Sequence, residues 1–283
     1  QEQTGVKIVR LPTWGNLSSR VIFKRGFIKY VDSLKPDILF CHFHDTVAGT
    51  AFVKHEKKAN YPIVFDSHML EMASKNKFSR FYRFWYKHFI TPLIIRNSST
   101  IIRTQDDPYV EKCLGIPLSQ APFISFGTDT TLFHPDSKIK GAFRSDLNIS
   151  PDDFVVLYTG KLDKSKGGML LAKAFEKKFP SKTKDIILVV VGNTRGEYGK
   201  EVDKLFEASE NRIIRFPTQK YVDLPKFYQA ADLSIFPKQC SLSFYDAQAC
   251  GLPVISEDNH VNRDRVRFGN GTCFRAGDVE NFR

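Results

Sequence analysis

No window of this sequence approaches 18 uninterrupted apolar residues, so no membrane-crossing helix is expected. The five cysteines, Cys41, Cys113, Cys240, Cys250 and Cys273, are odd in number and form no C-x-x-C pair. Thiols scattered in this way argue against a disulfide framework and predict small apolar residues in a reducing compartment. No short-period repeat or low-complexity segment is present, which excludes a solenoid or array. The chain opens on Gln1 without an initiator Met or a signal-like segment. Asn16, Asn97, Asn148 and Asn270 lie in N-x-Ser/Thr sequons, read here as unused sites in a cytosolic protein.

What is present describes a globular protein. The chain has 283 residues, 42% hydrophobic and 26% charged, long enough for two domains of ordinary size. Its net charge of +11 is spread: 18 basic and 12 acidic residues precede Ser137, and 24 and 19 follow. An even excess argues against a nucleic-acid-binding tail and suits a protein that handles anionic ligands.

Short apolar runs alternate with amphipathic stretches along the chain. Strands are expected at 6–11, 38–41, 62–65, 99–103, 155–159, 186–191, 212–216 and 233–236. Helices are expected from Ser18 or Ser19 to about 34, over 47–58 and 168–178, and near 200–208 and 224–230. The polar stretch 136–151 reads as the interdomain crossing. A β-then-α alternation that restarts after this point predicts an α/β chain with two doubly wound, Rossmann-like halves. Such folds bind ligands at the carboxyl edge of the sheet.

The most informative stretch is 231–256. The run LSIF at 233–236 is closed by Pro237, Ser241 and Ser243 are candidate N-caps, and Asp246 sits near the helix start. Gly251 and Pro253 stop that helix before Val254 begins another strand. A strand leading through a polar loop into a helix start suits a phosphate, and a carboxylate just inside it suits a ribose diol. Upstream, GKLDKSKG at 160–167 also joins a strand to a helix, with glycines for close approach and lysines to neutralise a diphosphate. The simpler reading of that segment is a solvated basic turn.

DAQACGLPV at 246–254 resembles the EAMACGLPV signature of retaining nucleotide-sugar glycosyltransferases of family 4, which have the GT-B fold. FISFGTD at 123–129 with FHP at 133–135, the 160–167 run, and NGTCF at 270–274 with Gly277 and Asp278 agree with that family in order. The resemblance implies two Rossmann-like domains facing across a cleft, an acceptor-side domain over 1–135 and a donor-binding domain over 136–283. Relative to the family the chain starts late and stops early, so it is expected to be a fragment.

The same resemblance implies transfer of a sugar from a nucleotide-sugar to a hydroxyl of a glycan or lipid-linked acceptor, in polysaccharide biosynthesis, with retention and without a metal or other cofactor. Lys161, at the place of the family's Arg, and Lys166 would stabilise the leaving diphosphate, with Gly160 and Gly127 beside the donor. Asp246 would hold the ribose. Eight positions before Asp246 the family has a glutamate that meets the sugar; here Lys238 stands there, and Gln239, Ser241 or Ser243 would take over. His44 would lie by the sugar, with His42, His68 and Asp129 lining the cleft. The Lys161 substitution keeps the charge but loses the bidentate fork.

Residues 75–103 carry seven Lys/Arg and no acidic residue, with Phe78, Phe81, Trp85 and Phe89 at helical spacing and Arg80, Arg83 and Lys87 on another stripe. They read as a core-packing helix with a basic solvated side, or as an interfacial helix on an anionic membrane surface, which would make a cytoplasmic protein peripheral. Three other functions compete: an inactive nucleotide-sugar binder, a metal-dependent hydrolase and a nucleic-acid-binding protein. The hydrolase pattern His-x-His-x-Asp-His is departed from, because Asp45 comes one place early and Val47 replaces the last histidine.

Overall fold

The computed structural model describes residues 5–17, 20–70, 78–180, 184–238 and 241–283. The expected caps Ser18 and Ser19, residues 75–77 of the basic stretch, Gln239 and Cys240 lie outside the described residues. The chain forms two compact units, Gln1–Ser125 and Phe126–Arg283. Their division falls ahead of the polar stretch expected to carry the crossing.

In the first unit, residues 5–12 form no strand. Instead β1 (Thr13–Leu17) and β2 (Arg20–Phe23) pair antiparallel. The apolar alternation at 6–11 finds no partner strand, and Val6 and Ile8 stay exposed. Because 20–23 is committed to the ladder, the first helix begins later than expected, as α1 (Phe27–Ser33). Then follow β3 (Leu39–Cys41), α2 (Val47–His55), β4 (Ile63–Ser67), α3 (Ser79–Trp85), a π-helical turn (Tyr86–Ile90), α4 (Thr91–Asn97) and β5 (Ile101–Arg103). α2 starts where Thr46 Oγ1 accepts the Gly49 N–H at 3.0 Å, a side-chain N-cap. β3, β4 and β5 form a parallel sheet in that order.

Of the expected aromatic stripe, Trp85 is partly buried and packs against the core, while the phenylalanines face outward. Phe78, Phe81, Phe84 and Phe89 are 74, 71, 59 and 61% exposed, while Tyr86, Ile90 and Ile94 are fully buried. The spacing 86, 90, 94 reaches the core, and the π-helical turn over Tyr86–Ile90 shifts the helix register within this stretch.

The second unit opens with α5 (Ser137–Asp146), so the expected polar crossing is largely a helix; Asp136 caps it, accepting the Lys138 and Ile139 N–H groups at 2.9 and 3.0 Å. Next come β6 (Phe154–Thr159), α6 (Gly168–Ala174), β7 (Ile186–Val191), α7 (Gly196–Glu207), β8 (Ile213–Phe216) and α8 (Pro225–Ala230). The unit closes with β9 (Leu233–Phe236), α9 (Ser243–Ala249), β10 (Val254–Glu257), α10 (His260–Val266), β11 (Gly271–Phe274) and α11 (Val279–Phe282). Six parallel strands lie in the order β11-β10-β9-β6-β7-β8. The order runs outward in both directions from β6, so the sheet is doubly wound, with its switch point between β6 and β9. Ile187, Leu188 and Val190 are fully enclosed between the helical layers, each worth about 1.5–3 kcal/mol of burial. Near-continuous apolar strands of this kind are what a sheet covered on both faces requires.

Arg144 ties α5 to this sheet. Buried, it donates to the Ala230 carbonyl (2.8 Å), the Asp153 carbonyl (3.2 Å) and Asp232 Oδ2 (2.6 Å). Burial alone would raise the Asp232 carboxyl, but Lys140, the Val155 N–H and Arg144 outweigh it, and the net direction is down. The stability this contributes is therefore present above the ordinary carboxylate range and is lost as pH falls through the lowered value. Arg144→Ala should cost roughly 2 kcal/mol, because it removes one of the two cations on Asp232, which keeps Lys140, and takes the donor from two carbonyls. Urea unfolding with a midpoint unchanged from wild type would refute this.

Candidate active site

The carboxyl ends of β6, β7 and β8 enclose a cavity of about 310 Å³. β6 contributes Thr159, Gly160 and Lys161; β7 contributes Gly192, Asn193 and Arg195; Thr218 and Gln219 follow β8, and Ser243 enters from α9. Backbone pairing continues past the strand ends and stiffens the floor: the Gly160 N–H donates to Val191 O at 3.0 Å and the Leu162 N–H to Asn193 O at 3.2 Å. Tyr158 hydroxyl donates to the Lys161 carbonyl at 2.7 Å, and burial pushes its phenol far up, so it stays a neutral donor.

Between Lys161 and Lys166 stands Asp163. Its Oδ1 accepts the Ser165 hydroxyl (2.6 Å), the Ser165 N–H (2.9 Å) and the Lys166 N–H (3.0 Å). The Ser165 hydroxyl bond is the main reason its carboxyl is held below the usual range. Its role is to fold the basic turn upon itself. The turn rests against the strand on the far side of the switch point: a Cβ on Gly167 would lie 3.0 Å from Pro237 Cβ and 3.1 Å from Lys238 Cβ. Lys161 lines the cavity; Lys166 is not among its lining residues.

Asp246 is buried in the first turn of α9. Burial raises its carboxyl, opposed by hydrogen bonds from Thr128 Oγ1 at 2.5 Å and the Tyr221 hydroxyl at 3.3 Å. Thr128 thus brings the segment of Gly127 and Asp129 to the carboxylate. Asp129 itself staples the next turn, accepting the Thr131 hydroxyl at 2.6 Å and the Thr131 N–H at 2.9 Å. Gly127 is not at a tight turn: its φ is not left-handed, and a Cβ there would meet nothing within 4 Å. Nor is α9 capped by a serine. Its N-cap position is Leu242 with no side-chain cap, and Ser241 Oγ only approaches the Ser243 N–H at 3.4 Å. Ser243 instead bonds Tyr228, whose hydroxyl pairs with Thr159 Oγ1 at 2.6 Å, linking β6, α8 and α9. Ser241 is held through its carbonyl, which accepts from Arg265 at 3.0 Å.

Residues 140–283 match the family of glycosyl transferases group 1. The chain belongs to that family. A relative from Segniliparus rotundus, a D-inositol 3-phosphate glycosyltransferase, is 30% identical over 138 residues, 46% of this chain and 30% of that protein's length. The chain therefore spans about a third of the length of the curated relatives it matches. Among solved structures, Anabaena Alr3699/HepE in complex with UDP superposes with a TM-score of 0.73 at 19% identity, covering 90% of this chain and 69% of that one. A glycosyltransferase from Rickettsia africae superposes at 0.69 with 14% identity, covering 89% and 66%. This likeness gives the group 1 chain the α/β GT-B fold.

In this glycosyltransferase-family chain, Gly160, Lys161 and Ser243 meet in the cavity, while Asp246, Ser241, Gly127 and Lys166 lie outside its lining. Arg195, Asn193 and Gln219 line it without having been singled out in the sequence. Only their place just past β7 and β8 could have flagged them. Thr128 and Tyr221 were equally hidden, since they come to Asp246 from 118 and 25 residues away. At the end of β10, burial raises the Glu257 carboxyl and Lys238 opposes that shift. A carboxylate thus stands near Lys238.

The three histidines belong to the first unit. His44 is fully buried with Nδ1 2.6 Å from the Tyr86 hydroxyl. Asp45 is buried too, its Oδ2 accepting the Tyr109 hydroxyl at 3.1 Å. His42 and His68 instead converge on Asp66, so the His-x-His-Asp run does not act as one group.

Proposed function

We propose that the chain transfers a sugar from a nucleotide-sugar donor to a hydroxyl of a glycan or lipid-linked acceptor. The observation that carries this is the cavity at the carboxyl edge of a doubly wound sheet, which Lys161 and Arg195 line together with Gly160 and Gly192. When the donor bond breaks, negative charge collects on the departing diphosphate, and fixed cations there lower the barrier. Lys161 and Arg195 line that position, and Lys166 on the same turn adds to the field. In this reading Asp246 accepts from the ribose hydroxyls once Thr128 and Tyr221 yield to the ligand, and Ser241 and Ser243 approach the sugar. Family 4 membership, retention, and charge neutralisation at the diphosphate without a metal complete the proposal. The Anabaena neighbour is solved with UDP and with UDP-glucose, so uridine diphosphate sugars are the first donors to test.

Thermal-shift screening against uridine, guanosine and adenosine diphosphates and their sugars tests the reading. One nucleotide class should raise the melting midpoint, and Lys161→Ala and Asp246→Ala should each remove most of the rise. Variants that respond like wild type would reject the site. The catalytic role proposed for His44 requires its enclosed ring to become reachable; His44→Ala would then lower turnover while leaving nucleotide binding intact. The second reading, an inactive binder, is favoured by Lys238 in the glutamate's place. It is told apart by donor binding without release of nucleoside diphosphate.

We place the protein in the cytoplasm, in polysaccharide assembly, docked peripherally on an anionic membrane. No helix among the described residues is long and apolar enough to cross a bilayer. The exposed Phe78, Phe81, Phe84 and Phe89 alternate with the exposed cations Arg80 and Lys87, as an interfacial helix requires. Sedimentation with phosphatidylglycerol vesicles, lost in a Phe81→Ser/Phe84→Ser variant, is the expected result. Equal recovery on neutral phosphatidylcholine would contradict it.

A further inference from the structure

The geometry points to a binding site for a divalent transition-metal ion, zinc in the first place, formed by His42, Asp66 and His68 in the first unit. Their ligand atoms lie within 4.8 Å of one another. His42 Nδ1 is 2.6 Å and His68 Nε2 2.9 Å from the same oxygen, Asp66 Oδ2. Two imidazoles and one carboxylate are a borderline N₂O donor set, suited to zinc with a position left for water.

Two of the three ligands, Asp66 and His68, are already held by a remote atom. Asp66 is 1% exposed, and its Oδ1 accepts the Phe43 N–H at 2.8 Å, which leaves Oδ2 turned to the two rings. His68 Nδ1 meets the Thr104 hydroxyl at 2.8 Å, and that oxygen also lies 3.1 Å from the Ser67 carbonyl. With the ring proton on Nδ1 and Thr104 accepting it, His68 Nε2 can turn its lone pair to an ion in place of its present contact with Asp66 Oδ2. A fixed partner on the far nitrogen is what orients a ligating histidine. The His42 side chain is 68% exposed, so its far nitrogen can carry its proton into water. On binding, the ion takes the place of any proton between a ring nitrogen and Oδ2, and each displaced proton goes to a far nitrogen or to water. Closure to bond lengths of about 2.0–2.1 Å asks most of the exposed His42.

The backbone bears a mark of the same arrangement. Phe43 is a non-glycine residue at φ 63°, and this left-handed step turns its N–H onto Asp66 while His42 and His44 go to different partners. Strain of this sort persists where the surroundings over-determine it, and functional sites collect it. The sequence pattern His42-x-His44-Asp45 points to the wrong trio, because the topology supplies Asp66 and His68 from the neighbouring parallel strand β4 and the residues past its end.

The test is a calorimetric titration of the chelator-treated chain with zinc chloride, repeated with cobalt(II) as an optical probe. Wild type should bind one ion, with ligand-field bands from cobalt. His42→Ala and His68→Ala should each weaken zinc binding by at least about tenfold, and Thr104→Val by a smaller factor. Truncating the exposed His42 side chain leaves the fold intact, which a melting curve on the same sample shows. No binding at micromolar zinc, or unchanged affinity in both histidine variants, would overturn the site. Because the titration involves no nucleotide, its outcome is separate from that of the donor-binding screen.

Discussion

Gly192→Ala is expected to destabilise the second unit by at least about 3 kcal/mol, lowering its melting midpoint by something like 10 °C. A Cβ on Gly192 would sit 1.8 Å from the Gly160 carbonyl oxygen and 2.8 Å from its carbon. Both neighbours are backbone, so no side chain can rotate away. The residue is also at φ 153°, outside the region that side-chain-bearing residues favour. Relief requires parting the extensions of β6 and β7, where the Gly160 and Gly192 N–H groups are bonded to Val191 O and Phe216 O. The cavity floor would go with them, so nucleotide-induced stabilisation should vanish together with stability. Gly127→Ala is the control, within about 0.5 kcal/mol of wild type, since it meets nothing. Equal midpoints for wild type and the Gly192 variant would show that the close approach is not real.

Lys161→Ala should reduce kcat with the best donor by roughly 10²–10³-fold, the effect of losing one charge stabiliser aimed at a developing anion. If the lysine acts on the leaving diphosphate, the loss falls on kcat more than on KM, because the charge it meets grows in the transition state. Lys161→Arg separates charge from shape. Arginine restores the cation and adds the bidentate fork, so activity at or above wild type is expected. Arg195→Ala, past the end of β7 in the same cavity, should show a loss of the same kind. A Lys161→Ala enzyme with wild-type kcat would remove the electrostatic basis of the proposed reaction.

Legibility differs between the two units, and for a physical cause. In the second unit β7 and β9 fall on the expected bounds, and β6 and β8 within one residue. Fully covered parallel strands must be continuous apolar runs, and few other structures tolerate such runs. The first unit has a smaller three-stranded sheet, and there the local pattern misled. The run at 6–11 alternates like a strand but has no ladder to join, and a strand without a partner is no strand. Likewise Phe78, Phe81, Trp85 and Phe89 keep helical spacing, yet the phenylalanines stay exposed, Trp85 packs at the core's margin, and 86, 90 and 94 make the core. Periodicity specifies that a face exists, while which face is buried depends on what packs against it.

The candidate site divides in the same way. Gly160, Lys161 and Asp246 are visible because each sits at a strand-to-helix junction, a local property of a few consecutive residues. Arg195, Thr128 and Tyr221 are not, for their relation to the site is created by strands that are adjacent in space and remote along the chain. The residue order by itself determined the α/β alternation, the junctions and the cationic turn, since these follow from hydrophobic period and backbone preference over short windows. Only the tertiary structure decided that Thr128 bonds Asp246, that Gly192 touches Gly160, and that His42 answers to Asp66 rather than Asp45. Such pairings are set by strand order and register, and no short window of sequence contains both partners.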